Sequence, residues 1–395
     1  MIREIAASLS IILGAMTSAE GAEPTDLVSV EGSTTKVCQL SGDLDRPEGK
    51  PTLSQTGERF GVIATDLGSS FEHKGRLYFL FGDTWGRPGG KDVLAWTTSN
   101  DPEAILLDFH RAPDGKWLPL AVPGVRLGPF EVPSYGVSIG GDIYVVLTTD
   151  HSPEKTMGRS VVARSRDDGR TFDKLYDLSD DKFINVALWT SGQWLYVFGS
   201  GDYRRSSVCL ARVKPADFRR PSKLSYLSGM DAGGSPQWSP RQRDATPLFE
   251  HDVVGEFSVA FCEPVGRYVM LYNSTKPRGI TMRSAATPWG PWSDGQVIFN
   301  PWRDEGYGHF IHLPFRLHGG GKTFHDPQRE AEGGGEYGPY IISRFTTGTA
   351  EQCRLYYTMS TWNPYQVVLM RSDLRRNRPG TGRRSSGIPK SGSRR

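Results

Sequence analysis

The sequence predicts an all-β fold, a five-bladed β-propeller whose ring is closed by a strand from near the N-terminus. Three observations point there. A strand-like apolar segment recurs five times, a glycine-ended turn precedes four of the five, and a further strand follows each. The 46 Gly and 27 Pro interrupt the chain too often for long helices and suit many short strands. Hydrophobic content is only 37%, but Trp, Tyr and Phe make up 11% of the chain, and their bulk compensates in building a core.

Taken in order, residues 1–22 read as an export signal. Arg3 precedes an apolar run, Ile5–Met16, and then the small residues Ser18, Ala19, Gly21 and Ala22. The run is too short to span a bilayer, so a cleaved peptide and a secreted or periplasmic protein are expected, with no integral membrane span. The propeller is expected over residues 35–374. Its recurring strand is Arg76–Gly82, Asp142–Thr148, Gln193–Gly199, Arg267–Asn273 and Arg354–Ser360. The strands that follow are Asp92–Thr98, Ser160–Ser165, Val208–Arg212, Gly279–Ser284 and Gln366–Ser372. A β-sandwich also spaces strands regularly, but it does not require the same strand, glycine turn, strand order each time. The fifth repeat ends early, and Thr35–Leu40 is expected to supply its outer strand, so that no sheet edge stays open. Ser165–Phe172 (SRDDGRTF) has the Asp-box pattern, a hairpin staple of propeller peripheries.

Residues 375–395 form a tail with eight Lys or Arg and no acid, too poor in apolar residues to order itself. Removing those eight charges from the formal +3 leaves −5, so the fold itself is mildly acidic and a nucleic-acid partner is not expected. Cys38, Cys209, Cys262 and Cys353 lack zinc-site spacing. Export permits a disulfide, and Cys38 with Cys353 is the pair to test. A monomer is expected.

In a propeller blade the innermost strand starts, and the second ends, at the same face. Nine residues before the turn glycine stand Asp66 in blade one, Val132 beside Glu131 in blade two, Phe183 near Asn185 in blade three, and Phe257 next to Glu256 in blade four. The second strands end at Asp83, Asp150, Asp202, Asn273 and Thr361. A ring rich in carboxylates therefore collects at one mouth, where mutual repulsion must be offset by cations or used for chemistry. Asp66 and Asp83 sit across one antiparallel pair, close enough to flank a glycosidic bond as acid and base or nucleophile. Each alone also reads as a turn cap. Trp85, Tyr135, Tyr337 and Trp362 are candidate sugar platforms, with Asn185, Asp202 and Asn273 as polar contacts; Trp189 and Trp238 lie near the rim. The insertion Lys214–Val254 reads equally as a cleft wall or a solvated loop. His309 and His312 do not form a zinc motif. No catalytic metal or cofactor is expected; calcium, which hard oxygen ligands suit, is the one candidate ion for the axial acids.

At Gly61–Trp85 (GVIATDLGSSFEHKGRLYFLFGDTW) the chain resembles a bacterial family first described as a domain of unknown function, members of which are endo-D-arabinanases. GEFSV (Gly255–Val259), YGPYI (Tyr337–Ile341) and STWNPYQVVLMRS (Ser360–Ser372) extend the resemblance across about Thr35 to Leu374. The resemblance implies a propeller glycoside hydrolase cutting a furanoside-rich polysaccharide such as D-arabinan. It implies that Asp66 and Asp83 are the catalytic pair and that Glu256 is a third acid. A non-catalytic carbohydrate-binding propeller and a sialidase-like enzyme remain the alternatives.

Overall fold

The computed structural model describes residues 27–377, apart from 252, 318–323, 325, 327 and 328. The expected export segment and all but the first residues of the basic tail lie outside that range. Five antiparallel meanders surround an axis. Blade one comprises Val62–His73, Arg76–Gly86, Lys91–Thr97 and Asp108–Phe109, innermost first, and blade two Pro133–Ile139, Asp142–Thr149, Arg159–Ser165 and Asp173–Ser179. Blade three has Asn185–Ser191, Trp194–Ser200 and Val208–Val213, followed by Ser225–Met230 and Pro236–Ser239. The insertion thus adds outer strands to its own blade rather than walling the mouth. Trp238 lies there, with the Arg212 guanidinium 3.9 Å from its ring centroid. Blade four is Phe257–Cys262, Arg267–Thr275, Arg278–Ala285 and Gln296–Phe299.

Blade five takes Gly335–Ile341, Gln352–Trp362 and Gln366–Arg376 from the C-terminal end of the fold and its outer edge from the N-terminal end. Leu27–Ser29 and Thr35–Gln39 both pair with Gln366–Arg376. The closure is tied to blade four as well: Thr34 Oγ1 donates to the Ile298 carbonyl at 2.8 Å, and Gln296 Nε2 to the Leu27 carbonyl at 2.9 Å.

The strand patterns follow from burial on two faces. In Arg76–Gly86, Leu77, Phe79 and Phe81 enter the apolar cluster shared with blade five, while Tyr78 and Leu80 enter the cluster shared with blade two. Alternate side chains point to opposite sides of a strand, so a strand sandwiched between two blades must be apolar at successive positions. This is why the segment reads as an unbroken run.

The Asp box works as a peripheral staple. The Ser165 hydroxyl donates to Asp167 Oδ1 at 2.7 Å, and the Thr171 backbone N–H donates to the same oxygen at 3.0 Å. Although burial opposes ionisation, these bonds, led by the Thr171 N–H, draw the Asp167 carboxyl down to about 2. The adjacent Asp168 meets His73 and Lys74 at the turn of blade one's inner hairpin, at the end away from the mouth.

Cys353 lies beside Cys262, not Cys38. Cys38 packs in the cluster between blades five and one, whereas Cys262 and Cys353 share the cluster between blades four and five. All four thiols are free.

Candidate active site

One cavity of about 800 Å³ opens at the axial mouth. Asp66, Asp83, Trp85, Glu256, Asn273, Tyr337 and Trp362, all expected there, line it. Of the other residues expected there, Tyr135 is buried below, its ring 6.3 Å from that of Tyr340. Asn185 is buried in blade three opposite Ser200, and Asp202 is exposed, its carbonyl accepting the Arg205 N–H in a turn. None of these three is a lining residue.

Asp66 enters from the start of blade one's inner strand and is 7% exposed. Its Oδ2 accepts from the Tyr337 hydroxyl at 2.9 Å, and its Oδ1 has no protein hydrogen-bond partner among the described residues. Gly82 is opposite, and the carboxyl rests over its backbone; a Cβ at Gly82 would come within 2.8 Å of Asp66 Oδ1. Burial first, and then the charge of Asp83, push the Asp66 carboxyl up to about 7. The Tyr365 and Tyr337 hydroxyls oppose that rise. Tyr365 also donates a hydrogen bond to the Asp83 carbonyl at 3.3 Å.

Asp83 is not directly opposite Asp66. The ladder runs Asp66↔Gly82 and then Ala64↔Trp85, and Asp83 occupies an irregularity with φ of 36°. On the other side, pairing passes from Phe81↔Val93 to Thr84↔Lys91, so Gly82 and Asp83 bulge against Asp92. The bulge turns the Asp83 carboxylate into the cavity, where Oδ2 accepts the Phe130 N–H at 3.3 Å. Burial raises this carboxyl too, against that hydrogen bond. Asp83 is partly open to solvent, whereas Asp66 is not. The two acids therefore sit in unequal environments, the arrangement that separates a proton holder from an anion.

Glu256 is 4% exposed and paired in a fork with Arg204: Nη2 to Oε1 at 2.8 Å and Nε to Oε2 at 3.1 Å. The fork from the Arg204 guanidinium neutralises the Glu256 charge on the spot. Arg204 in turn lies over the rings of Tyr203 and Tyr337. The second lining guanidinium, Arg278, is paired with Glu336. Two further acids of the expected ring are compensated away from the cavity. Glu131 accepts from Arg126 and from the Gly128 and His151 N–H groups, and Asp150 pairs with Arg159.

Aromatic rings also line the cavity. Trp85 and Trp362, 48% and 40% exposed, flank Tyr365 at centroid distances of 5.6 and 6.2 Å. Phe130 extends this lining towards Tyr203. Backbone strain gathers here: Leu67, Asp83, Phe130 and Arg204, all lining residues, have φ between 36° and 64°. Non-glycine residues reach that region at a cost, and such residues concentrate where geometry serves a site.

Asp92, Phe130, Arg204 and Tyr365 were not legible as site residues. Tyr365 had the best signal, three residues beyond Trp362 in the quoted STWNPYQV stretch. Arg204 stands two residues past Asp202, just beyond the end of blade three's second strand. Asp92 only began a third strand. No group of three or more metal-ligating side chains is arranged for an ion among the described residues, and His312 is held by backbone groups of Asp326 and Arg329. Among the described residues no helix is long and apolar enough to cross a membrane.

Two fungal proteins resemble the chain. "Notoamide biosynthesis cluster protein J" of Aspergillus sp. (strain MF297-2) is 29% identical over 282 residues, 62% of this chain and 74% of that protein. Its counterpart J′ of Aspergillus versicolor is 29% identical over 284 residues, 62% and 75%. A crystal structure from Bacteroides ovatus ATCC 8483, provisionally described as a hydrolase, superposes with a TM-score of 0.53 at 13% identity, covering 80% of this chain and 87% of that one. That likeness concerns the fold. Residues 52–371 match the family described as "Domain of unknown function (DUF4185)", and with most of its length matched the chain belongs to that family.

Proposed function

We propose that the protein is a glycoside hydrolase acting on a neutral, furanoside-rich polysaccharide such as D-arabinan, in the manner of an endo-D-arabinanase. The observation that carries this reading is the unequal carboxyl pair on one wall of an aromatic cavity. Asp66, pushed up to about 7, retains a proton at neutral pH and serves as the general acid towards the leaving oxygen. Asp83, more open and fixed by the Phe130 N–H, is the base or nucleophile. Trp85, Trp362 and Tyr365 offer flat faces to sugar rings, and Asn273 offers an amide to hydroxyls. The two lining arginines are each paired with a glutamate, which leaves little to attract an anionic sugar and disfavours a sialidase-like reading. A secreted or periplasmic, monomeric enzyme is consistent with the expected export segment.

A second reading, a sugar-binding propeller without catalysis, is favoured by the engagement of Glu256 with Arg204, which removes one acid from proton transfer. The deciding experiment is product analysis after incubation with purified D-arabinan and with L-arabinan. Oligosaccharide release from D-arabinan is expected, reduced by about 10²–10⁴-fold in Asp66→Asn and in Asp83→Asn, with polysaccharide binding retained. Binding without cleavage by the unaltered protein, across a wider glycan panel, would establish the second reading instead.

A further inference from the structure

Away from the cavity, two thiols from neighbouring blades meet. Cys262 ends the inner strand of blade four, and Cys353 is the second residue of the second strand of blade five. Each is 2% exposed, and both lie in the apolar cluster between these blades. The two thiols are close enough that each shifts the other's titration, Cys262 downward and Cys353 upward. Local structure explains the approach. The turn Glu263–Val265, immediately after Cys262, packs on the strand that carries Cys353. Gly348 pairs with Cys353 and leaves room above it, since a Cβ there would come within 2.6 Å of the Cys353 Cα. Cys38 and Cys209 pack in other clusters.

We infer that Cys262 and Cys353 form a disulfide cross-linking blades four and five when the chain folds in the presence of a small-molecule disulfide such as oxidised glutathione. One cysteine thiolate attacks a sulfur of the oxidant, breaking its S–S bond and releasing one glutathione thiolate. The second cysteine thiolate attacks the resulting mixed disulfide, forming the Cys262–Cys353 bond and releasing the other. The two protons lost by the cysteines end on the two glutathione thiols, and the two electrons reduce the oxidant. With both sulfurs buried, the exchange belongs to folding, before the blades close over them. The bond joins the blade bearing Glu256 and Asn273 to the blade bearing Tyr337, and so braces two sides of the mouth.

The test is to refold the full chain from the reduced, denatured state in a glutathione redox buffer, alkylate free thiols, and digest without reduction for mass spectrometry. One cross-linked peptide pair containing Cys262 and Cys353 is expected, with Cys38 and Cys209 alkylated. Reduction of the unfolded-and-refolded product should lower its melting midpoint by roughly 5 °C. The Cys38→Ser/Cys209→Ser double variant should behave in the same way. Four alkylated cysteines in the refolded protein, or a bridge involving Cys38 or Cys209, overturns the inference. The readout does not depend on sugar cleavage, so it stands or falls separately from the hydrolase reading.

Discussion

Burial gives the Asp66 carboxyl a hold on its proton and makes its charged form costly. In the unfolded chain it titrates near 3.8, and in the folded protein at about 7. Between those values the folded state holds the extra proton, so stability is greatest below the lower value and falls as pH rises. Above about 7 the full cost of a buried charge is present, on the order of 4 kcal/mol. Asp66→Asn, neutral at every pH, should therefore lose this dependence and be more stable than the unaltered protein at about pH 8, by a few kcal/mol in urea denaturation. Its activity should be lost over the same range. An unchanged stability profile in the variant would assign the proton to another group. In the active protein, kcat/KM should decline as pH rises through about 7, because the acid form disappears.

At the scale of elements, the bulge at Gly82 and Asp83 is what makes the inner hairpin of blade one a site. Asp92, the single residue facing that bulge, is 2% exposed and its Oδ1 accepts the Asp83 N–H at 3.2 Å. Burial, reinforced by the Asp83 charge, holds its carboxyl well above the ordinary value, and what it offers the bulge is an acceptor for the Asp83 N–H. Asp92→Asn keeps an acceptor for the Asp83 N–H and should retain activity within about threefold, whereas Asp92→Leu removes it. The leucine variant should lose about 10–100-fold in kcat with KM little changed, because a carboxylate displaced by a fraction of an ångström misses its reacting atom. Equal damage from both substitutions would show that the acid, and not the acceptor, matters at this position.

For the whole molecule, ring closure depends on a segment far from the blade it completes. Deleting residues 27–39 removes the outer strands of blade five together with the fully buried Leu27 and the Gln296 contact to blade four. The exposed edge of Gln366–Arg376 would then be open to pairing with other chains. A stability loss of roughly 5 kcal/mol or more is expected, seen as a lost cooperative melting transition or as aggregates in size-exclusion chromatography. A truncated chain that melts like the full one would show that the ring is held by its inner strands alone.

Repetition and composition determined the architecture, because each blade must satisfy the same packing on two faces and so writes nearly the same apolar strand five times. The positions of Asp66, Asp83 and Glu256 near a common mouth follow from that periodicity, since they stand at equivalent ends of repeated strands. Tertiary structure alone decided which acids face the cavity unpaired and which are neutralised. Arg204 reaches Glu256 from another blade, Tyr337 reaches Asp66 from the neighbouring blade five, and Asp92 supports Asp83 through a bulge that shifts the strand register. Charge compensation, burial and bulges depend on distances between blades, and a linear pattern that repeats within each blade holds no record of those distances.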